Sequence, residues 1–257
     1  MNKKTSIDGK PIFVTALAVL LLLGCDYHSD SVYLGREEAK LLDQVNSGNI
    51  DAVKEFLDQG GNVNLQDEPG MTPLHHAVNS NWKGKNFEIV KLLIDRGANA
   101  KAIDDTHHTP LHLASNKETA ELLIDSGADV NAKTQRTGET PLYAAARNAA
   151  QGASLSLTKL LIAKGADPNM KLKSGSMIED NEPHRAKAGE TALHAVARSI
   201  SQKHASEVCE LLLSYGAKVN ELNDKGQTPL DEALANERKQ TAETLRQHGG
   251  KSATNQN

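Results

Sequence analysis

Two stretches of this chain hold residue types that could do chemistry. Ser156-Leu157-Thr158-Lys159 sets a hydroxyl three positions before an amine, the Ser-x-x-Lys spacing of certain acyl-transfer enzymes. The adjacent imidazoles of His75-His76 and His107-His108 could ligate a metal. Neither set is complete. The serine motif lies on a second helix of the pattern described below and has no companion motif, so the match is one of letters. The histidine pairs lack a third ligand at the spacing a closed metal site needs. A Gly-x-Ser-x-Gly elbow, a His-Glu-x-x-His helix and a phosphate-binding loop are all missing. The residues point to a non-enzymatic chain without cofactor or metal.

The elements around these residues follow one plan. Thr109-Pro110-Leu111-His112 opens a helix, because the threonine hydroxyl can cap open backbone N–H groups and proline fits the first helical position. Leu122-Leu123-Ile124-Asp125-Ser126-Gly127 closes a second helix, since glycine takes the left-handed conformation that other residues resist. Thr-Pro-Leu recurs at Thr72, Thr140 and Thr228, with Thr191-Ala192-Leu193-His194 as a variant. The stop recurs at Gly60, Gly97, Gly165, Gly216 and Gly249. Neither helix of such a pair can bury its apolar face alone, so each unit needs copies on both sides.

This pattern resembles the ankyrin repeat, a unit of about 33 residues with a T-P-L-H-x-A signature. The resemblance covers residues 36–250. It implies an all-α solenoid of stacked helix–turn–helix units joined by short β-hairpin loops. A capping unit, four central repeats and a C-terminal cap are expected. The family uses the signature histidine to hydrogen-bond neighbouring loops, which is the expected work of His75, His112 and His194. The first unit, through Phe56 and Leu57 to Gly60, lacks the signature, as a terminal unit with one neighbour should. In the last unit Thr241, Thr244 and Arg246 replace apolar residues, while Ala242 and Leu245 keep the inward face. Residues 251–257 are polar and are expected to form a disordered tail.

Irregular spacing marks where function is written. Thr72 to Gly97, Thr140 to Gly165 and Thr191 to Gly216 each measure 25 residues, whereas Thr109 to Gly127 measures 18. The family pattern gives about 21. Extra residues near the helix–helix turns are expected in three repeats. From Gly165 to Thr191 the junction is 26 residues, where the others are 12 or 13. The additional segment, residues 170–188, is expected to project from the hairpin side as a finger with Met177 and Ile178 near its tip. Insertions of this kind often map to a binding face.

Residues 1–24 read as a lipoprotein signal peptide. Lys3, Lys4 and Lys10 precede an apolar run from Ile12 to Leu23, which is too short to span a bilayer core of about 30 Å. Leu22-Leu23-Gly24-Cys25 resembles the bacterial lipobox, which implies lipidation of Cys25 and a tether over residues 25–35. Asp26 resembles the inner-membrane retention signal of enteric lipoproteins. The expected location is the periplasmic face of the envelope, with the inner membrane favoured over the outer. The formal charge of the whole chain is −4, and the leader carries three lysines and one aspartate, so the mature chain is more acidic still. Such a balance argues against nucleic-acid binding, which needs clustered lysine and arginine. With Cys25 lipidated, Cys209 has no intrachain disulfide partner. It shares a column with Val53, Val90, Ala120 and Thr158, counted back from each stop glycine, and is expected to be a buried thiol.

Recognition remains as the activity. The resemblance implies binding through hairpin tips and first-helix residues lining a concave face. The expected contacts are Asp67, Glu68, Asp104, Asp105, Glu139, Glu190 and Asp224, together with His76 and His107. A row of carboxylates would steer a partner with a basic surface patch. Trp82, the sole tryptophan, falls at an inserted turn and is expected to anchor the partner, as tryptophans often do. Taken together, the plan resembles immunity lipoproteins paired with type VI secretion lipase effectors. That likeness implies an occluding inhibitor attached to the membrane by its lipid alone. The alternative is a scaffold lipoprotein that organises or assists a periplasmic complex.

Overall fold

The computed structural model describes residues 36–79, 86–173 and 188–253. The leader, Cys25, the tether, Trp82, the body of the finger with Met177 and Ile178, and residues 254–257 lie outside the described residues. Among those described are twelve helices: α1 (Arg36–Ser47), α2 (Ile50–Asp58), α3 (Pro73–Asn79), α4 (Asn86–Asp95), α5 (Pro110–Leu113), α6 (Lys117–Asp125), α7 (Pro141–Ala150), α8 (Leu155–Ala163), α9 (Ala192–Ala197), α10 (Gln202–Ser214), α11 (Pro229–Ala235) and α12 (Lys239–Gln247). None of them is long and apolar enough to cross a membrane.

The helices stack in two layers. First helices α1, α3, α5, α7, α9 and α11 pack on one another in order. Second helices α2, α4, α6 and α8 form the other layer, α10 packs on α12, and the long α10 also reaches across to α7. One leucine from each helix type drives this. Leu74, Leu111, Leu142, Leu193 and Leu230 follow the opening Thr-Pro or Thr-Ala by one position and are almost wholly buried. Leu93, Leu123, Leu161, Leu212 and Leu245, each four residues before a stop glycine, are equally so. All ten belong to one continuous core cluster that runs through the units.

Length irregularities appear as helix length. Two of the three 25-residue repeats carry a ten-residue α7 and a thirteen-residue α10, and the extra residues of the third, between α3 and α4, fall outside the described residues. The 18-residue repeat reduces α5 to four residues. Cys209 is fully buried in its expected column, beside Val53, Val90, Ala120 and Thr158 with the same burial. Burial, with a smaller push from Glu210, raises its pKa to about 12, so the thiol stays protonated and inert. Ser156 is exposed at the start of α8 and hydrogen-bonds the capping Ser154.

Two expectations about the C-terminal end need correction. Thr241 and Thr244 are buried, packed inward with Ala242 and Leu245. The expected disordered tail is also fixed over its first three residues. Lys251 donates its backbone N–H to Asn220, and its carbonyl accepts from Thr228. The Ser252 hydroxyl and the Ala253 N–H both donate to Asp231. Asp231 stands where inner repeats place histidine, so its carboxylate gathers the chain that follows.

Candidate functional site

Tips and first helices form one face, and three ladders of hydrogen bonds set it. The first is backbone to backbone. The first, second, third and fifth tips are tight turns, closed for example by His107 N–H to Asp104 C=O and by Asp104 N–H to His108 C=O. Neighbouring tips are tied by Asp105 to Pro69, Gln135 to Thr106, Lys173 to Thr137 and Asp224 to Ala188. At the base of the fourth tip, Leu172 N–H bonds Glu190 C=O and Gly189 N–H bonds Leu172 C=O.

Histidines make the second ladder. His75, His112 and His194 each accept from the N–H of their own capping threonine at Nδ1. Each then has Nε2 3.1 Å from the carbonyl of His108, Glu139 or Gln227 respectively, one unit further on. An Nδ1 that accepts leaves the proton on Nε2, which therefore donates. Burial lowers the pKa of all three against these hydrogen bonds, to about 4 for His112 and His194. They are neutral structural linkers. The third ladder is built from asparagines. Asn64, Asn131, Asn169 and Asn220 each donate to the stop-glycine carbonyl of the next unit, and each accepts a backbone N–H two residues beyond that glycine.

The acidic residues of the tips divide into two groups. Asp67 pairs with His76 at 2.7 Å and accepts the Met71 N–H. Asp104 accepts from the N–H groups of Thr106 and His108 and from the Thr106 hydroxyl. Burial alone would raise its pKa, but these hydrogen bonds hold it below the usual carboxylate value. Glu139 meets Arg147 at 3.2 Å. Glu68, Asp105 and Asp224 are exposed.

Glu190 overturns the expectation placed on it as a partner contact. Its side chain is completely buried, paired with Arg198, and accepts the Tyr143 hydroxyl at 3.2 Å. For Arg198, burial favours loss of charge, yet Tyr143 and Glu190 outweigh it and hold the pKa above the ordinary guanidinium value. Tyr143 occupies the signature histidine's place and reaches the next unit through this carboxylate. Burial and Glu190 raise its pKa, keeping the phenol neutral. The expected row of one sign is also broken at the third tip, where the exposed residues are Lys133, Gln135 and Arg136.

His107 sits at φ 62°, where the other tips place Gly70, Gly138, Gly189 and Gly226. A side chain there costs on the order of 1 kcal/mol or more. Its Nδ1 is buried with no hydrogen-bond partner. Among the described residues no group of three or more potential ligands could hold a metal.

Arg147 and Arg198 were not anticipated. Their signal is nonetheless in the sequence: Glu139-Thr140 and Glu190-Thr191 are each followed by an arginine eight residues after the glutamate. The two arginines, with Gln151, Ala195, Ser199, Ile200 and Ser201, line an open cavity of about 520 Å³ between the ends of α7 and α9. Ile200 is 66% exposed at its edge.

This architecture defines a helical repeat protein of the protein-binding class. Residues 41–134 and 149–257 match the family described as ankyrin repeats, and the chain belongs to the ankyrin-repeat family. Among curated proteins, human neurogenic locus notch homolog protein 4 is 39% identical over 44% of the chain, and a putative ankyrin repeat protein of fowlpox virus is 44% identical over 17%. These matches span 5% and 30% of those proteins. Among solved structures, an ankyrin repeat domain from Acinetobacter baumannii aligns over 83% of this chain and all of its own, with TM-score 0.67 and 24% identity, and so shows the fold. A chain from the complex of a predatory endopeptidase from Bdellovibrio bacteriovorus with an immunity protein aligns over 80% of this chain and 96% of its own. Its TM-score is 0.61 and its identity 29%.

Proposed function

We propose that this protein is an immunity protein: a non-enzymatic array that binds an antibacterial effector and covers its catalytic entrance. The similarity over 80% of the chain to a chain from an endopeptidase–immunity protein complex carries this reading. The effector is a type VI secreted phospholipase. Its basic patch meets the exposed carboxylates of Glu68, Asp105 and Asp224, which act on encounter more than on residence. Trp82, Met177 and Ile178 add apolar contacts from the inserted turn and finger. Cys25 carries a lipid that holds the array on the periplasmic face of the inner membrane, where an incoming effector arrives.

The test begins with capture. The immobilised mature protein is offered the products of neighbouring reading frames, phospholipases and endopeptidases alike. Retention of one hydrolase at a one-to-one ratio, with its activity lost in the complex, is the expected outcome. A retained partner that stays fully active would sink the immunity reading and favour a scaffold. In parallel, Cys25→Ser should shift the protein out of the membrane fraction, and labelled palmitate still entering that variant would contradict the anchor.

A further inference from the structure

We propose that the cavity between Arg147, Arg198 and Ile200 is a subsite for an acidic side chain flanked by apolar residues on the partner protein. The inference rests on the reading of the first-helix face as the partner surface, and it deepens that reading by giving one part of the face its own chemistry.

Charge supports this occupant first. None of the seven residues lining the cavity is acidic, and two are arginines. The carboxylates that pair with them belong to the tips and are absent from the lining: Glu190 is wholly enclosed, and Glu139 is mostly covered. The arginines play different parts. Arg198 is clamped by Glu190 and Tyr143, with 5% of its side chain exposed, and forms a fixed charged wall. Arg147 is 35% exposed, and its ion pairing among the described residues is the 3.2 Å approach of one Nη to Glu139. Its plane lies near the Tyr143 ring, 5.8 Å from the centroid, which restricts its sweep. A guanidinium carries five N–H donors in a fork that matches a carboxylate. Most of the Arg147 fork is left for a ligand.

Shape supplies the second argument. Among the described residues Ile200 is the most exposed of the large apolar side chains that stand out from the core, and it lines the same cavity. An opening of about 520 Å³ admits one or two side chains but no folded element. A carboxylate meeting Arg147 with an aliphatic neighbour against Ile200 uses both features. The exposed charges of the third tip, Lys133 and Arg136, are basic as well, and Lys173 reaches that tip at the Gln135 carbonyl. The binding face is thus acidic at its first two tips and basic at its middle.

The experiment uses acetyl-Leu-Asp-Leu-amide as the probe and acetyl-Leu-Asn-Leu-amide as its uncharged control. Both are titrated into the full-length chain labelled at isoleucine methyl groups. The aspartate peptide should move the Ile200 methyl signal saturably, and the asparagine peptide should bind about tenfold more weakly. Arg147→Gln should weaken the aspartate peptide by a similar factor with an unchanged melt. Ile200→Ser, at an exposed position, should weaken both peptides. Equal binding of the two peptides, an Ile200 signal that does not respond, or full binding by Arg147→Gln would each overturn the subsite. The effector capture is separate. Inhibition of a hydrolase with silent peptides would reject this subsite alone, whereas peptide selectivity without any captured effector would leave the subsite standing and reject the immunity function.

Discussion

Glu139 and Glu190 are the same residue type, at the same distance before the same threonine, with the same arginine eight positions on. They nevertheless do different work. Glu139 keeps 18% of its side chain open to water, beside an arginine that is 35% exposed. Glu190 is enclosed because Tyr143 replaces a histidine and covers it from the preceding unit, while Arg198 closes the other side. Glu190→Ala would strand a buried guanidinium and should cost about 3–5 kcal/mol, as broken buried pairs do. Glu139→Ala should cost no more than about 1 kcal/mol, the range of exposed pairs. Urea unfolding of the two variants measures the contrast, and equal losses would contradict the burial argument. Proximity along the chain makes both glutamates legible as tip residues. The fate of Glu190 depends on a tyrosine 47 positions away, which no local pattern shows.

At the level of elements, two leucine columns and the recurring Thr and Gly signals carry the fold, and all are readable from spacing. Units with strong local signals need only like neighbours, so registering the repeat is nearly equivalent to deriving the stack. Leu123 is fully buried on α6, and its column packs between second helices. Leu123→Ala should therefore cost about 2–5 kcal/mol and destabilise α4 and α8 as well as its own unit. Native-state hydrogen exchange checks this, since loss of protection confined to α6 would contradict nearest-neighbour stacking. What spacing did not reveal is how lengths are absorbed. Extra residues read as turn insertions become additional helix in α7, where an alanine-rich stretch continues the helical face, and in α10, which gains a turn of good helix formers from Gln202.

Over the whole molecule, the histidine ladder ties stability to pH. His112 and His194 titrate near 4 when folded, and His75 is shifted the same way, against about 6.5 when unfolded. Between those values the unfolded chain binds more protons than the folded one. Stability should then be flat above about pH 7 and fall as the pH drops from 6.5 towards 4. Melting temperatures across that range test the sign, and a midpoint that rises on acidification would contradict it. The binding surface is less legible than the fold for a related reason. Tip carboxylates look like one recognition row in sequence, but folding consumes Glu190 entirely, engages Asp67 and Asp104 in local bonds, and interrupts the row with Lys133 and Arg136.

The central claim is that tips and first helices together form the surface that covers an effector. Hydrogen exchange of this protein, with and without its captured effector, tests it most directly. New protection is expected at the tips between Asp104 and Thr109 and between Thr134 and Thr140, and at the ends of α7 and α9 around Arg147 and Ile200. The second helices α4, α6 and α8 should exchange as before. Protection gained chiefly on those second helices, with the tips unchanged, would place the partner on the opposite layer and contradict the account.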